Sequence, residues 1–230
     1  MKKFVPIIML MVIVFSCVQE EDKIIYYVDG GPTIFRTHHF PIDTLGTYDS
    51  TLTLQISSDT TWNSIIVGLN GEVLTNPIIV GNSIIFTKEI TTATIEYWLE
   101  ITSDFGDAFA VCSMPGPFKI FKPPSLWITP GQDCEISWQH AQYAQWYELD
   151  INCFDTLYQL MWDTSIICTD TSTIIIPGDR INFYGGISVL IIAGNGASLL
   201  PGDEGNVKGN GQGFWTARSK THRAIKLGYW

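Results

Sequence analysis

Apolar residues recur at every second position in several short segments of this chain. In residues 50–57 ("STLTLQIS"), Leu52, Leu54 and Ile56 alternate with polar residues. A period of two is typical of a β-strand that buries one face. Beyond the N-terminal apolar run we find no segment with the period of an amphipathic helix. The pattern therefore predicts an all-β fold.

The segment 94–102 ("TIEYWLEIT") alternates in the same way, and its apolar face consists of Ile95, Tyr97, Leu99 and Ile101. Trp98 then lies on the opposite face. An exposed tryptophan there marks either a ligand platform or a surface that another domain covers. Trp62 follows a turn signal and Trp127 opens the second half of the chain, so both are further candidates for a ligand platform. Packing in a core or at a domain interface is the alternative for all three.

Turn signals and prolines divide the chain into two units. Asn70-Gly71 lies between apolar runs and predicts a β-hairpin, because both residues tolerate positive φ. About seven short strands, with turn signals roughly every 8–12 residues, predict an immunoglobulin-like sandwich over residues 31–122. Prolines cluster in residues 115–124. Because proline cannot donate to a sheet ladder, this stretch predicts a connection to a second unit, residues 123–230.

Two strand-like segments of the second unit carry a more specific pattern. "CEISWQ" (residues 134–139) and "WYELDIN" (residues 146–152) resemble the B and C strands of a fibronectin type III domain. In that family a tryptophan on the first of these strands packs near a tyrosine on the second. Trp138 and Tyr147 match these two core positions.

A third segment extends this resemblance. "ISVLIIAGNG" (residues 187–196) is similar to the F strand of the same family, in which alternating apolar residues lead to Ala-x-Asn. Ile187 departs from the family, which commonly has a tyrosine at that position. The resemblance implies a second antiparallel β-sandwich, and thus two β-sandwiches in tandem. It implies no particular function, because this sandwich hosts many unrelated functions.

The N-terminal residues have the layout of an export signal. Lys2 and Lys3 precede an apolar run of about a dozen residues, shorter than the roughly 20 that a helix needs to cross a bilayer. "VFSC" (residues 14–17) resembles the lipobox of bacterial lipoproteins, in which the cysteine becomes the lipid-bearing first residue. The resemblance implies a signal peptide at residues 1–16 and a lipid anchor on Cys17. A plain signal peptide cut elsewhere is the alternative.

The residues after Cys17 are polar and acidic. Glu20, Glu21 and Asp22 resemble the surface-export signal of Bacteroidetes-type lipoproteins, and they equally suit a solvated tether over residues 17–30. We therefore expect a membrane-bound protein of the bacterial cell envelope. It would be held by its lipid in the outer membrane, facing either the periplasm or the cell surface.

The charge of the chain limits its partners. Removing residues 1–16 takes away two lysines, so the formal net charge changes from −10 to −12. A protein with this much negative charge repels phosphate backbones, so we expect no nucleic acid partner. Positive charge gathers near the C-terminus, at Lys208, Arg218, Lys220, His222, Arg223 and Lys226. We expect an edge strand there, where charge blocks unwanted sheet pairing, with a patch for an anionic ligand as the alternative.

Glycines recur at every second position just before most of these basic residues, at Gly209, Gly211 and Gly213. On a strand they share one face and leave a bare backbone surface that another chain could approach. In a loop they would make the chain flexible. We expect a structural hairpin, with a recognition loop as the alternative.

With Cys17 lipidated, four cysteines remain: Cys112, Cys134, Cys153 and Cys168. Exported proteins meet oxidising conditions, under which such cysteines can pair. The fibronectin-like register implies that Cys134 and Cys153 both point inward near the same end of the sandwich, which makes them a candidate disulfide. Cys153 with Cys168 is the competing pair, and free buried thiols are the third alternative.

The sequence lacks the familiar motifs of catalysis and metal binding: GxSxG, HExxH and paired CxxC. His38 and His39 with Asp43 form the densest group of ligand-like residues, but adjacent residues on a strand point to opposite faces. We expect no enzyme, no metal and no cofactor. A small hydrolase would need a concave pocket with two facing carboxylates, or a histidine beside a nucleophile.

The expected function is to present a binding or scaffold surface, in adhesion or as an accessory part of a larger surface assembly. The partner would be another envelope protein or a glycan. The alternative is a carbohydrate-binding lipoprotein, which three or more exposed aromatic side chains in one plane would favour.

We predict that Cys17→Ser abolishes lipid labelling and membrane association, because the thiol is the attachment point. Metabolic labelling with a fatty acid analogue and membrane fractionation measure both properties. Cys168→Ser is the control and should keep both. A Cys17→Ser protein that stays labelled and membrane-bound would refute the anchor.

Overall fold

The computed structural model describes residues 26–39, 44–91, 93–169, 171–198 and 202–228. These residues form β-strands and one 3₁₀ helix, Gly178–Ile181, which confirms the predicted all-β class. No helix in these ranges is long and apolar enough to cross a membrane. The predicted signal peptide, Cys17 and Asp43 lie outside the described residues.

The strands of the first half of the chain are β1 Tyr26–His39, β2 Thr44–Ser58, β3 Ile65–Leu69, β4 Glu72–Val73, β5 Ile78–Val80, β6 Ser83–Glu89, β7 Glu96–Ser103 and β8 Ala108–Ser113. Those of the second half are β9 Ile120–Lys122, β10 Trp127–Ile128, β11 Cys134–Trp138, β12 Trp146–Asp155, β13 Leu160–Cys168, β14 Thr173–Ile176, β15 Gly185–Gly196, β16 Lys208–Gly209 and β17 Gly211–Leu227.

Nine of the described strands form the large sheet. Its order is β13-β12-β15-β17-β1-β2-β6-β5, and β10 pairs with β17 off this path. β1 runs parallel to β17 and antiparallel to β2. β17 therefore lies inside the sheet, between β15 and β1. The expectation that the basic C-terminal segment forms an edge strand is wrong, because β1 pairs with the side that β17 would otherwise expose.

Two smaller sheets cover one face of the large sheet. The first covering sheet has the order β16-β8-β7-β3-β4, and the second has the order β14-β11-β9. The result is two β-sandwiches that share the large sheet as a common layer, in agreement with the predicted pair of antiparallel sandwiches.

The first core lies under the first covering sheet. Leu52, Leu54 and Ile56 of β2 are fully buried in it, as their alternation predicts. Tyr97 and Leu99 of β7 face them from the covering sheet. Both strands therefore bury one face, because the apolar side chains alternate with polar ones.

The second core lies under the second covering sheet. Its Trp138 and Tyr147 rings pack edge to face with centroids 5.6 Å apart, as the fibronectin type III resemblance implies. Ile187, which replaces the usual tyrosine of that family, is buried in the same core. The chain passes from the first core to the second between Met114 and Phe118.

β17 contributes to both cores. Its Trp215 and Ala217 are buried in the first core, and its Ile225 and Leu227 are buried in the second. These residues share one face because β17 is a regular strand with a period of two. The boundary expected between residues 122 and 123 therefore does not separate the two cores, since a strand from the second unit completes the first.

The first core also includes two residues of the predicted tether. Tyr26 and Val28 are buried because β1 begins at Tyr26 and pairs with both β2 and β17. A tether would therefore end before Tyr26 and not at Gly30.

Local backbone features explain two patterns of the sequence. Asn70 and Gly71 have φ values of 52° and 79° in the turn between β3 and β4, which confirms the predicted hairpin. Gly211 and Gly213 lie on β17 beside β1, where an added Cβ would meet the Tyr26 ring at 2.8 Å and the Val28 carbonyl oxygen at 1.9 Å. The glycines are needed for this close strand pairing.

One expected core position is wrong. Ile95 is exposed, because β7 begins only at Glu96 and the alternation does not extend back to Ile95.

We predict that Trp215→Ala lowers the free energy of unfolding by about 3–5 kcal/mol, because the indole is fully buried and its Nε1 donates to the Tyr97 carbonyl oxygen over 3.0 Å. Because β17 joins both cores, one cooperative transition should move to lower urea concentration. The control Tyr158→Ala, at an 89% exposed position, should change the stability by less than about 0.5 kcal/mol. Separate transitions, with the second core unaffected, would contradict the shared-strand explanation.

Candidate functional site

The outer face of the first covering sheet carries an exposed apolar patch, which is the first candidate site. The apolar patch consists of Ile66, Val73, Trp98, Phe109 and Val111, each between 47% and 58% exposed. Trp98 pairs directly with Val111 across β7 and β8. Successive residues of a strand point to opposite faces. Because the chain neighbours Tyr97 and Leu99 are buried, Trp98 points outward.

Polar groups surround the Trp98 side chain. Glu96 and Glu100 lie two residues before and after it, on the same face of β7. The Trp98 Nε1–H donates to the Glu96 carboxylate over 3.3 Å, and the Trp98 backbone N–H donates to the Asn70 side-chain oxygen over 2.7 Å. Together with Gly71 these residues line a depression of about 340 Å³.

The other two tryptophans of the predicted platform lie elsewhere. Trp62 packs against the first core, in contact with Tyr26 and with Phe105 at ring centroid distances of 5.2 Å and 4.7 Å. Trp127 lies in β10, half-buried beneath the Lys226 ammonium group, which is 4.7 Å from the ring centroid. The structure therefore does not bring Trp62, Trp98 and Trp127 together in one plane.

A second candidate site lies on the outer face of the large sheet, away from both covering sheets. This polar groove has a volume of about 510 Å³. It is lined by Thr33, Asp150, Asn152, Asp163, Thr164, Ser165, Ser188, Leu190, Lys220 and His222. Five adjacent strands of the large sheet, β13, β12, β15, β17 and β1, contribute to it.

The strand register determines how the groove is arranged. Asn152 pairs with Asp163 on one side and with Ser188 on the other. One row further along, Asp150 is followed across the sheet by Leu190 and then by His222. The acidic side chains therefore stand on β12 and β13, while Lys220 and His222 stand on β17.

A histidine lies beside a hydroxyl group in this groove. The Ser188 Oγ and His222 Nε2 atoms are 2.8 Å apart and share a hydrogen bond. Burial lowers the pKa of His222 below its ordinary value of 6.5, which favours the neutral imidazole.

Acyl transfer would also need N–H donors for an oxyanion. Ser188 pairs with Asn152 of β12 and with Ala224 of β17, so the sheet ladders on both sides engage the backbone around it. The Ser188–His222 pair therefore suits hydrogen bonding to a ligand better than nucleophilic catalysis.

Sequence reasoning did not identify the polar groove. Its residues are spread over nearly 200 positions, and all of them except Thr164 occupy ordinary outward positions on their strands. The available signal was the cluster of basic residues near the C-terminus, for which an anionic-ligand patch was the second interpretation.

The described cysteines are free thiols. Cys134 and Cys153 are both buried in the second core, and burial raises the pKa of Cys134 to about 12 and that of Cys153 to about 11. Their pairing under oxidising conditions stays a prediction.

The competing disulfide is wrong in this fold. Cys168 pairs in register with Tyr147, six residues before Cys153 along β12. At about 3.3 Å per residue this separates the two cysteines by roughly 20 Å, whereas a disulfide requires Cα atoms within about 7 Å.

No family model and no curated protein matches this chain. Among solved structures, the chain is similar to the fibronectin(III)-like modules of CbhA from Clostridium thermocellum, with 8% identity over 88% of this chain and 94% of that one, at a TM-score of 0.30. It is also similar to the adhesin InvE of Yersinia pseudotuberculosis, with 7% identity over 88% and 59% of the two chains, at a TM-score of 0.26.

A third similar structure is dimeric latent PorU from Porphyromonas gingivalis, with 9% identity over 90% of this chain and 21% of that one, at a TM-score of 0.25. Scores this low establish no shared function.

We predict that the stability of the protein falls as the pH decreases from about 6.5 toward the lowered pKa of His222. In this pH range His222 binds a proton in the unfolded state but stays neutral in the folded state, because burial lowers its pKa there. Protonation of His222 therefore favours unfolding. His222→Gln should remove this part of the pH dependence, as measured by urea denaturation between about pH 5 and 7.5. The same pH dependence in the variant would exclude His222 as its source.

Proposed function

We propose that this protein is a non-catalytic, lipid-anchored protein of the bacterial envelope that presents its apolar patch to a partner protein. The observation that carries the proposal is the apolar patch itself, with five large apolar side chains half-exposed on one sheet face around Glu100. Contiguous exposed apolar surfaces of this kind mark interaction sites. Tryptophan and phenylalanine are among the residues enriched in the centres of protein interfaces.

The charges beside Trp98 indicate the chemistry of the partner. Glu96 and Glu100 point to the same side as the indole, and a partner that covers the patch must neutralise or hydrogen-bond these carboxylates. The fitting partner is therefore a protein surface with apolar side chains at its centre and at least one lysine or arginine beside them. Such a partner would account for adhesion or for assembly into a larger surface complex.

The anchoring part of the proposal rests on the sequence of residues 1–22. The lipobox-like segment before Cys17 supports attachment to a membrane, and the described strands begin at Tyr26. Few residues thus separate the anchor from the sandwich. The protein would present its surfaces close to the membrane, where a partner in the same envelope layer can reach them.

A glycan is the second candidate partner, and Trp98 is the observation that favours it. A half-exposed indole beside two carboxylates and the Asn70 amide combines a stacking surface with hydrogen-bonding groups. Phe109 is the other aromatic residue of the apolar patch. The neighbouring Val111, Ile66 and Val73 offer a sugar no hydrogen bonds, which favours the protein partner.

We predict that Trp98→Ala abolishes partner capture in the native envelope. Capture is measured with a photo-reactive phenylalanine analogue in place of Phe109, followed by mass spectrometry of the cross-linked product. Tyr158→Ala, which removes an exposed aromatic side chain far from the apolar patch, is the matched control and should not affect capture. Glu100→Lys should weaken capture by charge repulsion with the partner's basic group.

The same proteins should be applied to a glycan array. Defined glycan binding that Trp98→Ala removes, without any cross-linked protein, would replace the first candidate with the second. Capture that persists in Trp98→Ala would show that the apolar patch is not the binding surface.

A further inference from the structure

We propose that the polar groove of the large sheet is a binding site for an acidic saccharide, a sugar that carries a carboxylate among its hydroxyl groups. The proposal goes beyond the function above, because the groove lies on the outer face of the large sheet and the apolar patch on the outer face of the first covering sheet. The two sites share no residue.

The arrangement of charge across the groove is the first argument. Lys220 stands on β17, and Asp150 and Asp163 stand on β12 and β13, with β15 between the two sides. Within the described residues, none of these three side chains forms an ion pair with another. An anionic group of a ligand is therefore favoured beside Lys220, and groups that donate hydrogen bonds are favoured beside the carboxylates.

A further cation supports the anionic end of the ligand. Arg218 pairs with Thr33, a groove residue, and its Nε atom is buried without a hydrogen-bond partner in the described part of the chain. Arg218 and Lys220 point to the same face of β17 because they are two residues apart. A carboxylate near Lys220 would thus lie within the field of two positive charges.

The neutral lining is the second argument. Ser188 stands on β15 between the charged sides, Asn152 and Ser165 stand beside the carboxylates on β12 and β13, and His222 stands on β17. The amide, the two hydroxyl groups and the imidazole both donate and accept hydrogen bonds. Sugar hydroxyl groups also do both, so several of them can be satisfied at once. Leu190 is the apolar contact of the lining.

The width of the groove favours a saccharide over a free amino acid as its ligand. Neighbouring strands lie about 4.8 Å apart, so β12 and β17 are about 10 Å apart with β15 between them. The ammonium and carboxylate groups of an amino acid stand too close together to reach both sides. A sugar ring with an exocyclic carboxylate places its acidic group and its far hydroxyl groups on opposite sides of the ring, which matches this separation.

The groove residues are also preorganised. The Ser188–His222 hydrogen bond of 2.8 Å fixes two side chains, and the side chains stand on strands that are paired on both sides in β12, β15 and β17. Rigid placement lowers the ordering cost of binding.

The test is titration of the full-length protein in detergent with galacturonic acid, glucuronic acid and their short oligomers, by calorimetry or by NMR. Galactose and glucose, which lack the carboxylate, and glycine, which has both charges close together, are the comparison ligands. We expect binding of one of the acids and at least tenfold weaker binding of the neutral sugars and glycine. Lys220→Gln should weaken binding of the acid about tenfold or more, and Asp150→Asn severalfold.

Lys208→Gln is the matched control, because Lys208 lies on β16 outside the groove. It should leave the affinity unchanged, and an unchanged thermal midpoint in all three variants shows that they fold. Failure of every acid to bind, equal binding of the neutral sugars or of glycine, or an acid affinity that Lys220→Gln leaves intact would each overturn the proposal. A loss of partner capture in Trp98→Ala tests the apolar patch alone and does not affect this result.

Discussion

The pairing of β1 with β17 is the constraint on which the rest of the structure depends. It places β17 inside the large sheet and makes one 17-residue strand a part of both cores. Trp215 at one end and Ile225 near the other are buried under different covering sheets. Between them, Ser219, Thr221 and Arg223 face the same side, so the shared strand is polar where the two cores part.

Other contacts strengthen the junction between the two halves. The Asn195 side chain accepts a hydrogen bond from the Ser113 backbone N–H over 2.7 Å and donates one to the Tyr143 carbonyl oxygen over 2.7 Å. The Asn206 side chain donates a hydrogen bond to the Trp215 carbonyl oxygen and accepts one from the Trp215 backbone N–H, as the backbone of a neighbouring strand would. The Ser113–Asn195 hydrogen bond therefore joins the two halves in addition to the shared sheet, which holds their outer faces in a fixed arrangement.

The two candidate sites follow from this layered arrangement. The inner face of each sheet is buried in a core. The outer faces of the large sheet and of the covering sheets are exposed and can each form a binding surface. The outer face of the first covering sheet is apolar around Trp98, and that of the large sheet is polar around Lys220 and Asp150. An apolar face suits a protein partner, while a polar concave face suits a small hydrophilic ligand.

Much of the local structure could be predicted because it depends on neighbouring residues. The alternation at Leu52, Leu54 and Ile56, the hairpin at Asn70-Gly71 and the outward position of Trp98 follow from strand periodicity and turn chemistry. The contact between Trp138 and Tyr147 follows from the family resemblance. The errors concern long-range pairing: the basic segment is not an edge strand, Tyr26 is not part of a tether, and Cys168 cannot reach Cys153.

The sequence by itself determined the all-β class and the buried face of the well-patterned strands, because both depend on residues close together in the chain. For the same reason a short stretch is enough to predict a lipid anchor at Cys17, which stays a prediction. The tertiary structure decided that β1 and β17 are neighbours and that five strands bring the residues of the polar groove together. Strand pairing over such separations depends on which sheet edges remain open once the cores have formed. No short stretch of sequence contains that information.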